Sequence, residues 1–90
     1  MKINSIYKVR QVAGENIILL QGKSHDDLTR VVAFNDSALL MWNSLKDKDF
    51  TLDDATQVLL ENYEVEESIA RQDAQKWIDT IKENNLLLSE

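Results

Sequence analysis

At 90 residues, with a net charge of −6, 43% hydrophobic and 29% charged residues and no cysteine, the chain has room for one core and nothing to cross-link it. The hydrophobic share excludes disorder, and the lack of thiols excludes disulfides and thiolate metal sites. The charge is uneven: five basic against three acidic residues up to Phe34, and five against thirteen beyond it. That sets the second half against nucleic acid, whose affinity comes mostly from phosphate neutralisation.

In chain order, residues 1–14 mix polar and apolar positions without the apolar core of a signal peptide, and no run reaches the about 18 apolar residues of a membrane span. A cytoplasmic protein with no membrane contact is expected. Residues 7–12 are rich in β-formers with partial alternation, Ala13-Gly14-Glu15 is a turn signal, and residues 16–20 form a short apolar run bounded by Gly22. These predict a hairpin. A polar loop follows, then residues 29–34 (Thr29, Arg30, Val31, Val32, Ala33, Phe34) as a third strand.

The hydrophobic period turns helical after Asn35. Asn35 or Asp36 can cap a first helix whose apolar stripe is Ala38, Leu39, Met41, Trp42 and Leu45. Thr51 caps a second, with Asp54 at the position of a capping-box acid and Leu52, Ala55, Val58, Leu59 and Tyr63 as apolar positions. After a break near Glu64 and Val65, a third helix is predicted over 66–84, with Ile69, Ala70, Ala74, Trp77, Ile78 and Ile81 at helical spacing. Asn85 can adopt the left-handed conformation that ends a helix, after which 86–88 fold back or add a short strand. Three strands followed by three helices give an α+β fold, winged-helix-like, in one domain over 1–90, with the last two helices resembling a helix-turn-helix.

Several segments together resemble the PqqD family of pyrroloquinoline quinone biosynthesis and the wider class of precursor-peptide recognition domains. Val32-Ala33-Phe34-Asn35 is similar to the family's apolar strand ending in a Leu-Asn-like pair, and Trp42-Asn43-Ser44-Leu45 to its first helix. Phe50-Thr51-Leu52-Asp53-Asp54-Ala55 resembles the start of its second helix. Asp73 to Ile81 and then Leu86-Leu87 resemble its third helix and the Gly-Leu-Leu that follows. Two positions depart: Phe50 stands where the family often has Arg, and Asn85 where it usually has Gly. The resemblance implies a non-catalytic domain that binds the leader segment of a ribosomally made precursor peptide and presents it to a radical SAM modifying enzyme, with no cofactor of its own.

It also implies where the peptide goes: as an added antiparallel strand on the edge of the third strand, tucked against the third helix. That is β-augmentation, in which unpaired backbone groups give affinity and side-chain pockets give selectivity. The expected peptide-binding residues are Thr29, Arg30, Val31, Val32 and Ala33 on the strand, with Ile69, Gln72, Asp73, Lys76, Trp77 and Thr80 on the helix. Trp77 and Ile81 read as core from their spacing, and Gln72, Asp73 and Lys76 as a groove wall or a solvated flank.

Catalytic chemistry is not encoded in recognisable form. There is no nucleophile–base pairing, and Gly14 and Gly22 make no phosphate-binding loop. His25 beside Asp26 and Asp27 cannot supply the fixed ligand geometry of a metal site. Two other readings stay open, a winged-helix DNA-binding regulator and a structural adaptor. The first would set an acidic helix against phosphates.

Overall fold

Residues 10–20 fold as the expected hairpin. β1 (Arg10–Val12) pairs antiparallel with β2 (Glu15–Leu20), placing Arg10 opposite Ile17 and Val12 opposite Glu15. The two-residue connection holds Ala13 at φ 52° and Gly14 at φ 82°, the two positive φ values a type I′ turn requires. β2 pairs in turn with β3 (Arg30–Phe34), with Ile18 opposite Val32 and Ile17 opposite Ala33. The sheet order is β1-β2-β3, antiparallel throughout. The computed structural model describes residues 1–20 and 30–88; Thr29 and the His25-Asp26-Asp27 cluster lie outside the described residues.

The first strand is shorter than the 7–12 expected. Residues 4–7 turn instead, with Asn4 Oδ1 accepting from the Ile6 amide at 3.2 Å and the Asn4 carbonyl from the Tyr7 amide at 3.2 Å. The turn carries the chain away because Ile3 is needed elsewhere. It is buried in the core and bridges antiparallel to Leu87, with Asn4 N–H donating to the Leu86 carbonyl (2.9 Å) and Leu88 N–H to the Lys2 carbonyl (2.8 Å).

Three helices complete the chain: α1 (Asp36–Leu45), α2 (Leu52–Asn62) and α3 (Glu67–Glu83). Asn35 caps α1 by accepting from the Ala38 amide at 2.9 Å. Thr51 and Asp54 form the capping box of α2 in both directions, at 3.2 and 3.0 Å. α3 ends in a Schellman motif. Asn85 sits at φ 58°, Leu86 N–H reaches the Ile81 carbonyl, Asn85 N–H reaches that of Lys82, and Leu86 and Ile81 are both fully buried. Strands then helices, not alternating, make this an α+β arrangement.

One face of the sheet meets the helices in a common core. Ile18, Val32 and Phe34 pack with Met41, Trp42 and Leu45 of α1 and with the buried stripe of α3, which includes Ala74, Trp77 and Ile81. Phe34 and Trp42 rings lie 5.5 Å apart. Phe50, between α1 and α2, is fully buried with its ring 5.8 Å from that of Trp77, and its amide donates to the Met1 carbonyl at 2.6 Å. The residue that stands in place of a basic one is therefore core. Tyr63, expected on the apolar side of α2, is instead exposed at its C-cap.

Candidate functional site

The strand carrying the expected site has two distinct faces. Val32 is 7% exposed and Phe34 is buried, both toward the helices, while Val31 is 55% exposed and Ala33 also faces out. Backbone direction follows from the hairpin. A β-turn closes by donating from its fourth residue to its first, so Val12 and Glu15 are a hydrogen-bonded pair. Such pairs alternate along an antiparallel ladder. Glu15 and Ile17 thus direct their backbone groups to β1, and Asn16, Ile18 and Leu20 to β3. Their partners Phe34, Val32 and Arg30 face β2, which leaves the N–H and C=O of Val31 and Ala33 aimed at the other edge. Among the described residues nothing pairs with that edge.

Beside it runs a groove of about 300 Å³ between the end of β3, the first turns of α1 and the middle of α3. Ala33, Asp73, Lys76, Trp77 and Thr80 line it, five of the residues expected from sequence, together with Phe34, Asn35, Ser37, Ala38 and Met41. The Asp73 carboxylate and the Lys76 ammonium make no ion pair or hydrogen bond among the described residues, so an anion and a cation stand available on one wall. Thr80 is already occupied, its hydroxyl donating to the Lys76 carbonyl at 3.0 Å. Trp77 is 5% exposed, and its indole Nε1–H has no acceptor among the described residues. A buried donor left unpaired costs about 1–3 kcal/mol.

Ile69 and Gln72 are exposed on α3, but neither lines this groove. Val31 and Val32 belong to the strand rather than to the groove wall. The α1 residues were not foreseen, although their signal was present. Asn35 caps α1 directly after β3, which places the first turn of that helix next in the chain to the strand's end.

A second cavity, of about 420 Å³, continues past Asn35, Ser37 and Asp73, which both share, to Asp36, Leu59, Tyr63 and Val65. The two form a track from the α2–α3 junction to the open strand edge. Nothing along it is a nucleophile set beside a base. Among the described residues no three His, Cys, Asp or Glu side chains gather as a metal-holding group, and no helix is long and apolar enough to cross a membrane.

The PqqD family model, described as coenzyme PQQ synthesis protein D, matches residues 4–87, nearly the whole chain. The chain belongs to the PqqD family. No individual curated protein and no solved structure matches it. PqqD is a non-catalytic accessory protein of pyrroloquinoline quinone synthesis that interacts with enzymes of that pathway, so membership is consistent with a peptide-binding partner of a biosynthetic enzyme.

Proposed function

We propose that this PqqD-family chain, as one domain over 1–90, binds the leader segment of a ribosomally made precursor peptide as a fourth strand on β3 and presents it to a radical SAM modifying enzyme in the cytoplasm. The observation that carries the reading is the open edge of β3 beside a groove built with α3. Val31 and Ala33 offer two N–H and two C=O groups in register for an extended chain. Asp73, Lys76 and Trp77 supply charge and an indole donor along the same track. An unpaired edge is a hazard that folded proteins normally cover, and a peptide ligand gives this one a use.

The charge of α3 supports the choice. From Glu67 to Glu83 it holds Glu67, Asp73, Asp79 and Glu83 against Arg71, Lys76 and Lys82, and Arg71 is engaged by Asp53 at 2.8 Å and Glu67 at 3.7 Å. Little cationic surface remains for a phosphate backbone. Titrating the isotope-labelled chain with leader peptides encoded beside it tests the reading. Amide shifts should cluster at residues 30–34 and 69–80. Shifts confined to the hairpin near Gly14, or to α2, would place the site elsewhere.

A further inference from the structure

The second cavity is more than a continuation of the groove, because its chemistry differs. One side of it is apolar, formed by Leu59, Tyr63 and Val65: Leu59 is buried, while Tyr63 and Val65 stay exposed in spite of their size. Its charged lining is Asp36 and Asp73, and neither carboxylate has an ion pair or hydrogen bond among the described residues. The cation on this stretch of α3, Lys76, lines the first groove and not the second. A side chain that fills such a space must cover apolar surface along its stem and carry positive charge at its tip. Lys and Arg do both, burying their methylenes while the head stays with its counter-ions, and a Tyr ring adds a face for the cation.

Position along the peptide follows from the sheet. All pairings are antiparallel, and antiparallel ladders are slightly more stable per residue than parallel ones. A strand added antiparallel to β3 passes Phe34 first and Arg30 last. The second cavity lies beyond the Phe34 end, past Asn35. Resting on the peptide-binding reading above, we infer that the second cavity is a subsite for a Lys or Arg on the N-terminal flank of the docked peptide, held between Asp36 and Asp73 over Tyr63 and Val65. The same peptide meets Lys76 only after it has entered the first groove, so a basic residue there is disfavoured.

The test is selection of random twelve-residue peptides displayed on phage against the full chain, followed by synthesis of the enriched sequences and mapping by amide shifts. Peptides that bind at β3 should carry Lys or Arg within a few residues N-terminal to their alternating segment. Changing that residue to Gln should weaken binding about fivefold, as two partly exposed ion pairs would. In the Asp36→Asn, Asp73→Asn chain, the Lys and Gln peptides should bind alike. Peptides that bind at β3 with no basic preference, or with the basic residue on the C-terminal flank, overturn the subsite and leave peptide recognition standing. Peptides that never shift β3 overturn both.

Discussion

Ala13 holds a backbone conformation that suits it poorly. At φ 52° it lies in the left-handed region, where an L-residue with a Cβ costs roughly 1–2 kcal/mol. Its neighbour Gly14, at φ 82°, has no such penalty. Asn-Gly is the preferred pair for a type I′ turn, so Ala13→Asn should stabilise the chain by about 0.5–1 kcal/mol. The denaturant midpoint should rise with an unchanged slope. A second single-residue effect depends on pH. The hydrogen bond from the Met1 ammonium (2.7 Å), followed by that group's charge, holds the Asp49 carboxyl below the usual carboxylate range; burial opposes this, and the charge of Lys2 adds the least to the lowering. A lowered folded value means that the contribution is complete above the unfolded value and is lost as pH falls through the folded one. Stability should therefore drop below about pH 4 more steeply in the native chain than in Asp49→Asn. Added salt should narrow the gap, because Asp49 is exposed.

At the scale of elements, β3 is decided by parity. Val32 directs both its side chain to the core and its backbone to β2, whereas Val31 and Ala33 direct theirs to solvent and to the open edge. Val32→Pro removes a ladder donor and disturbs a buried side chain, and should destabilise by about 3 kcal/mol or more. Val31→Pro and Ala33→Pro should keep circular dichroism and melting close to native while weakening peptide binding. If all three unfold alike, the ladder phase derived from the turn is wrong. The third strand was legible beforehand, as were the capping box of Thr51 and the left-handed Asn85, because each depends on residues a few positions apart. The extent of β1 was not, since it depends on Ile3 finding Leu87 across the whole molecule. Of the residues lining the groove, Ala33, Asp73, Lys76, Trp77 and Thr80 were expected through spacing and resemblance. Asn35, Ser37 and Met41 were missed because a groove belongs to the junction of elements and not to any one of them.

Seen whole, the fold is closed by aromatic and aliphatic side chains that no local pattern marks. Phe50 is fully buried against Trp77, and Phe50→Ala should cost about 3–5 kcal/mol. That is a large share of the about 5–15 kcal/mol that holds a domain folded. Urea denaturation should show it, and the variant should also lose peptide affinity, since Trp77 is the wall between core and groove. The bridge from Ile3 to Leu87 bears on kinetics as well. Hairpin, helices and the α2–α3 pairing join residues near in sequence, while this bridge closes a loop of almost the full chain, whose entropy must be met before any contact rewards it. Its natural place in time is therefore after the rate-limiting step. In a stopped-flow chevron, Ile3→Ala should leave the refolding limb nearly unmoved and raise the unfolding rate. The two ends would then act as a latch that sets how long the folded molecule lasts, with little say in how fast it arrives.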